Sequence, residues 1–488
     1  MRPKKIENFV VKIDTKIDYA LKKINKNLFG IIFVVSQKNI LLGSISDGDI
    51  RRYIIKHKNI SNKITIKSKL INKRVKTINS QDTDKKLFNL LEKGFRVVPK
   101  VNKKNQLIDI CTYKNIISFP IASPQISKLE VSLVNNCLQS GWISSRGSYI
   151  DKFEKNFSKF LNFGYSLAVS SGTTALELAI KSLKLPKKSE IILPNFTFAA
   201  TINSIINSGM TPVLCDVRRD TWTIDYDKIK KLINNKTKAV IPVQIYGQAY
   251  HVDKIHKIAK DNNLYIIEDC AEGLGGKYKN KIVNKKADVI CYSFFANKVI
   301  TTGEGGMAVF KDIKTYNTAK MIRSHGMDPK KKYYHNIEGS NYRMTNIQAA
   351  IGTAQLKKIN YFIKKRKLIF NIYDNYLSKI KFISLLPKNT WSQNSYWLYT
   401  ILINDFGSRK RDILLEKLTK NGIEARNGFI SLNKMKPFKK YSLNNLPISN
   451  YLSENTISLP TSINLTKNQI KYIVDLLLVN IEELNYVK

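Results

Sequence analysis

The stretch YSLAVSSGTTALELAIKSL, residues 165–183, reads as one strand, one turn and one helix. Tyr165 to Val169 is an apolar run of strand length. Ser170, Ser171 and Gly172 interrupt it with turn residues. From Thr173 to Leu183 the apolar residues return at helical spacing. The same alternation continues down the chain. Strands are expected at Glu190 to Leu193, Thr211 to Cys215, Ala239 to Gln244, Leu264 to Glu268 and Asp288 to Tyr292. Helices follow several of them, Ala199 to Ser208 for example. Short strands alternating with longer amphipathic helices indicate an α/β fold. From about Lys365 the text becomes a smaller α+β unit, with a strand at Trp397 to Ile403 and helices at Arg411 to Asn421 and Lys467 to Leu484.

Before Pro120 the texture differs. Two similar units, each about fifty residues long, precede it. The first contains NLFGIIFVVSQKNILLGSISDGDIRRYIIK, residues 27–56: a strand, a turn, a second strand and a helix opening at Asp47-Gly48-Asp49. The second, GFRVVPKVNKKNQLIDICTYKNI (94–116), echoes it without the SDGD element.

The chain has 488 residues, enough for two or three domains. Hydrophobic residues at 43% and aromatics at 10% provide a core and exclude a disordered chain. Five scattered cysteines, odd in number and without metal-ligand spacing, indicate a reducing cytoplasm. The basic start is followed by no long apolar run, and Leu28 to Val35 is too short for a bilayer. Neither a signal peptide nor a membrane partner is therefore expected. The net charge of +45 is carried mostly by lysines spread along the whole chain. That is the pattern of solvated surface lysine in an AT-rich coding sequence, so no nucleic-acid partner is expected. The field would still draw in anionic substrates.

In open α/β sheets ligands sit at the carboxyl ends of the strands. After Val169 comes Ser170-Ser171-Gly172-Thr173-Thr174, a helix N-terminus suited to a phosphate, although the same residues make an ordinary cap. After Leu193 comes Pro194-Asn195-Phe196-Thr197-Phe198, whose last ring would stack on a flat ligand or join the core. After Ile267 comes Glu268-Asp269-Cys270-Ala271-Glu272. Carboxylates closing a buried strand are unusual unless paired or functional, and an Asp there can hold a pyridine nitrogen protonated. After Tyr292 comes SFFANKVITTGEGGM (293–307), with Lys298 on a loop between two apolar strands. A lysine attacks a carbonyl only when neutral, so its site must lower its pKa.

The ordered motifs SGTTAL, PNFTFAAT, EDCAEG and SFFANKVITTGEGGM resemble the DegT/DnrJ/EryC1/StrS family, the pyridoxal-phosphate (PLP) sugar aminotransferases. The resemblance runs from about Pro120 to Lys488 and includes GWISSRGSYIDKFE (141–154) and NYRMTNIQAAIGTAQL. Its wording is nearest to GDP-perosamine synthases and related 4-aminotransferases. It implies a fold-type I aminotransferase, with a large mixed-sheet α/β domain at 119–364 and a small α+β domain at 365–488. Lys298 is implied as the lysine that carries PLP and shuttles the proton. Asp269 is implied to pair with the pyridine nitrogen and Phe198 to stack on the ring. Gly172, Thr173 and Ser293 are implied to hold the phosphate, with Glu272 beside the ring hydroxyl. Asn341 and Arg343 would reach the phosphate of the neighbouring subunit in a homodimer or larger assembly. The implied partners are L-glutamate and a nucleotide-linked 4-keto-6-deoxy sugar. Gln244 stands where the family often has His, and Ala296 where it often has Gly; neither removes a cofactor contact. The other reading is a regulatory or binding protein on an aminotransferase scaffold.

The segment GSISDGDIRR (Gly43 to Arg52) resembles a CBS unit, and residues 8–118 a tandem CBS pair. That resemblance implies a regulatory domain at 1–118 with an adenine nucleotide held by Asp47 or Asp49. Helix capping alone accounts equally well for either carboxylate.

Overall fold

The computed structural model describes residues 6–27, 29–56, 70–79, 82, 90, 95, 97–112, 119–282, 285–442 and 445–486. The chain divides into two compact units, Met1–Ser118 and Phe119–Lys488.

In the first unit β1 (Val10–Lys12) runs parallel to β2 (Ile31–Val35), which turns back into antiparallel β3 (Leu41–Ser46). The strands β4 (Ile78–Asn79), β5 (Val97–Val101) and β6 (Leu107–Thr112) repeat this arrangement. The repeat is in register: Val34 pairs with Gly43, and Lys100 with Asp109, each 66 residues further on. Asn39 and Asn105 take the same left-handed conformation at the two hairpin tips, which asparagine tolerates. The tips also bond each other: the Leu41 N–H donates to the Asn105 carbonyl, and the Leu107 N–H to the Asn39 carbonyl, both at 3.0 Å. The weak sequence echo is thus a pseudo-twofold pair.

In the second unit β7 (Tyr165–Val169), β8 (Glu190–Pro194), β9 (Thr211–Cys215), β10 (Thr237–Val240) and β11 (Tyr265–Asp269) belong to one sheet. A two-residue strand, β12 (Lys277–Tyr278), lies outside it. The sheet is completed by β13 (Val289–Ser293) and β14 (Gly306–Phe310), in the order β7-β14-β13-β11-β10-β8-β9. Only β14 runs against the rest. Strands covered on both faces must be apolar on both. Leu167, Val169, Ile191, Leu193, Ile267 and Val289 feed one buried cluster, and Ala168, Ile192, Ile266, Ile290 and Tyr292 the other. β10 stops at Val240 rather than running to Gln244. Pro242 follows, and proline has no N–H to continue a ladder.

The small part has the antiparallel order β15-β17-β19-β18, with β15 at Ile383–Leu385, β17 at Tyr399–Ile403, β18 at Arg426–Asn427 and β19 at Thr456–Leu459. A further strand, β16 (Ser392–Gln393), pairs with β12. The helix Ile359–Leu377 runs through residue 365, so the division at 364/365 falls inside a helix, not in a linker. No helix among the described residues is long and apolar enough to cross a membrane.

The helix Ser148–Leu161 ties this frame to the loop after β13. It buries Ile150, Phe153, Phe157 and Leu161, spaced three and four residues apart along one face. Phe157 meets Tyr292 and Phe294 edge-on at 5.1 and 5.6 Å between ring centroids. Phe157→Ala is expected to cost about 3–5 kcal/mol. The check is a lower urea midpoint at unchanged slope.

Candidate active site

The ends of β7, β8, β11 and β13 point the same way, so the four motifs that follow them converge on one edge of the sheet. After β7 the helix Gly172–Ser182 opens with a capping box between Ser171 and Thr174. The box satisfies the Thr174 N–H, while by helix geometry those of Gly172 and Thr173 have no intrahelical acceptor. Gly172 packs closely on the end of β13: a Cβ there would lie 2.8 Å from the Ser293 Cβ. The result is a cradle of backbone N–H groups and one hydroxyl, open to an anion.

After β8 the two phenylalanines of PNFTF divide. Phe196 is fully buried, whereas Phe198 is 59% exposed and belongs to the mouth of the site, not to the core. Its ring lies 5.9 Å from that of Phe429.

Asp269 closes β11 and is buried. One carboxylate oxygen accepts from the Thr201 hydroxyl at 2.8 Å, and the other from the Ala271 N–H at 3.1 Å. Burial pushes its pKa up, against the pull of those two donors and of Lys298. Glu272 is also buried and accepts from the Tyr246 N–H at 2.6 Å. Burial raises its pKa too, with Lys298 and Tyr246 opposing and Asp269 reinforcing. Tyr246 is held at φ +47°, a left-handed conformation that costs a bulky residue energy.

Lys298 sits on the loop between β13 and β14, its N–H bonded to the Phe295 carbonyl at 2.9 Å. Burial lowers its pKa, against the fields of Glu272 and Asp269. Beside it, the buried side-chain oxygen of Asn297 has no hydrogen-bond partner. Buried acceptors of that kind call for a donor.

Asn341 and Arg343 lie on an extended segment against the end of β7 in the same chain. Arg343 bridges to Val169, and the Ser170 N–H donates to the Tyr342 carbonyl at 2.8 Å. Their side chains bond each other, Arg343 Nε to Asn341 Oδ1 at 3.0 Å, and Arg343 also meets His325. Asp47 and Asp49 belong to the other unit. Asp49 accepts from the Ser46 N–H and hydroxyl at 2.9 and 2.7 Å and from Arg52 at 2.7 Å. Burial alone would raise its pKa, but these donors bring it below the usual value. Asp47 is more open and pairs only with Arg51 among the described contacts.

Three residues of the site escape a reading by motif. Thr201, which holds Asp269, lies inside PNFTFAAT, yet its partner is 68 residues away. Tyr246 lies inside IPVQIYGQ (241–248), a stretch that shares in the family resemblance but assigns it no role, and Trp397 carries no local signal. Trp397 places its ring 3.8 Å from the Lys298 Nζ.

A phosphate cradle, an exposed aromatic face, a buried Asp and a buried amine of lowered pKa on one sheet edge fit a flat, phosphorylated pyridine aldehyde. The class is thus that of PLP-dependent enzymes. The chain belongs to the DegT/DnrJ/EryC1/StrS aminotransferase family, whose profile matches residues 124–478; a CBS domain profile matches residues 3–56. It is 38% identical over 357 residues to the GDP-perosamine synthase of Escherichia coli O157:H7, covering 73% of this chain and 96% of that one. Among solved structures it is similar to Helicobacter pylori PseC, an aminotransferase of pseudaminic acid biosynthesis, with a TM-score of 0.72 at 29% identity. That match covers 75% of this chain and 99% of PseC. It is also similar to a Streptococcus pneumoniae protein solved in its PLP form, with a TM-score of 0.71 at 28% identity, covering 75% and 99%. The chain is a PLP-dependent sugar aminotransferase with an N-terminal CBS domain.

Gly172→Ala pushes a methyl into the cradle and is expected to weaken PLP binding by roughly tenfold to a hundredfold, measured by absorbance titration. The lowered Lys298 pKa has a sign that can be checked. Capture of PLP by cofactor-free enzyme should speed up as pH rises and Nζ loses its proton. It should level off below about pH 10.4, where a free lysine is half neutral.

Proposed function

We propose that the enzyme moves the amino group of L-glutamate to the keto carbon of a nucleotide-linked 4-keto-6-deoxy sugar. The product would be a nucleotide-linked 4-amino sugar for surface polysaccharide. The observation that carries this reading is the buried Lys298 facing Asp269 and Glu272 at the strand ends. The likeness to a GDP-perosamine synthase supports the substrate class.

When bound, PLP supplies the electron sink and the temporary carrier of the amino group. In this reading Gly172, Thr173 and Ser293 hold its phosphate and Phe198 covers its ring. Asp269 keeps the ring nitrogen protonated, and Glu272 lies beside the ring hydroxyl. Lys298 Nζ anchors the cofactor, takes the proton that leaves the donor carbon, and returns a proton to the sugar carbon in the second half-reaction. Thr201 holds the Asp269 carboxylate in place for its part. Asn341 and Arg343 serve the phosphate of a neighbouring subunit in a homodimer or larger assembly. Cys137, Cys215, Cys270 and Cys291 are buried and in no disulfide, which suits work in the cytoplasm. The N-terminal pair senses an adenine nucleotide, with Asp47 the freer carboxylate because Asp49 is engaged in its cap.

Lys298→Arg should remove both the bound-cofactor absorbance and turnover; unchanged turnover would sink the assignment. The substrate is tested with a panel of GDP-, UDP-, CDP- and dTDP-linked 4-keto sugars plus glutamate, with and without adenine nucleotides. Amine transfer to one member with release of 2-oxoglutarate is expected. No transfer to any of them overturns the substrate class, and rates unmoved by adenine nucleotides count against the sensing role.

A further inference from the structure

We propose that Trp397 is a positioning residue for Lys298, its indole face being the seat that Nζ occupies whenever the amine is not engaged with a carbonyl carbon. The proposal rests on the reading of Lys298 as the cofactor lysine. Nζ lies 3.8 Å from the centroid of the indole ring, within the range of a cation held over a π face. Trp397 is only 4% exposed, so the contact is shielded from water.

The seat is built, not incidental. The indole Nε1–H donates to the carbonyl of Asn297, the residue before Lys298, at 3.0 Å. Arg366, 3% exposed, spans the two chain segments. One of its terminal nitrogens donates to the Trp397 carbonyl at 2.6 Å and the other to the Lys298 carbonyl at 3.5 Å. The Tyr246 ring stacks with the indole at 6.3 Å and 14°, and Phe429 stacks on Tyr246 at 5.2 Å and 4°. Ring and lysine backbone are therefore fixed to each other, and the ring is packed within an aromatic stack.

The groups that set the charge of Nζ are Asp269 and Glu272 from the end of β11, the indole of Trp397, and the cationic Arg366 of the helix Ile359–Leu377. Burial favours the neutral amine, and the two carboxylates favour the ammonium. The carboxylates can also take its proton. An indole face favours the ammonium without being a base. It thus lets Nζ hold the proton it must return, in a place set by backbone bonds.

The test follows PLP capture by the full-length, cofactor-free enzyme as a function of pH, using the absorbance of the attached cofactor. Trp397→Leu removes support for the charged amine, so its pKa falls and the neutral form appears at lower pH. The midpoint should move down by about one pH unit, and in Trp397→Phe by a smaller amount in the same direction. The Phe variant keeps an aromatic seat and decides the matter if the Leu variant does not fold. A midpoint that stays in place, or rises, in the folded variants overturns the proposal. Lys298→Ala, run alongside, separates the two ideas. If it still attaches the cofactor, the reading of Lys298 fails whatever the tryptophan variants do. If it attaches none while the tryptophan variants keep the wild-type midpoint, only the seat is refuted.

Discussion

A lysine amine and two carboxylates share one buried place in this protein, and none of the three is stable there alone. Removing a single charge from water costs several kcal/mol unless partners compensate. Lys298 is pushed toward its neutral form by burial, and Asp269 and Glu272 toward theirs, while the lysine's field partly restores the charge of each carboxylate and their fields that of the lysine. The balance leaves an amine that loses its proton more readily than a free lysine and still has carboxylates to support its charged form, which is the property amino transfer needs. Much of the neighbouring architecture keeps that balance: Thr201 and the Ala271 N–H on Asp269, and Tyr246 on Glu272.

The sheet makes the balance possible. Each strand ends in a short polar motif, and because β7, β8, β11 and β13 run the same way those motifs land together. Shape is held from below by aromatic packing. Phe153 and Phe157 fit under Tyr292 and Phe294, and Gly352 has no room for a side chain, since a Cβ would sit 2.6 Å from the Phe153 ring. Overpacking there would move the lysine loop, not only the core.

Much of this was legible in the sequence, for a reason that also explains what was not. β7 and β9 match their expected limits because apolar runs bounded by turn residues leave little choice of ends. The strand β10 ends short of Gln244 because Pro242, without an N–H, interrupts the ladder, and pairing with β11 resumes past it only as an isolated bridge between Val243 and Asp269. Lys298 and Asp269 stood out because each lies in a local motif at a strand end, and Glu272, Phe198, Gly172 and Ser293 followed from the family resemblance that those motifs carry together. Trp397 and Arg366 come from the small part and from a connecting helix, and reach Lys298 only through folding. No spacing rule joins residues 68 or 99 positions apart along the chain. The N-terminal repeat was visible as an echo, but its offset of 66 residues needed the paired strands.

Gln244 shows how a departure from the family pattern can be absorbed. Its amide donates to the buried Glu268 at 2.5 Å, and its own N–H donates to the carbonyl of Asp269 at 3.0 Å. It therefore braces the carboxyl end of β11 from both side chain and backbone. A histidine in that place would titrate in the physiological range and change the field at Glu268 as it did so. A glutamine keeps a neutral donor on Glu268 at every pH. It also fits closely: a Cβ on Gly273 would lie 2.2 Å from the Gln244 side-chain oxygen. The substitution thus places a donor that does not titrate one residue before Asp269, beside the set of Asp269, Glu272 and Lys298 whose charges depend on one another.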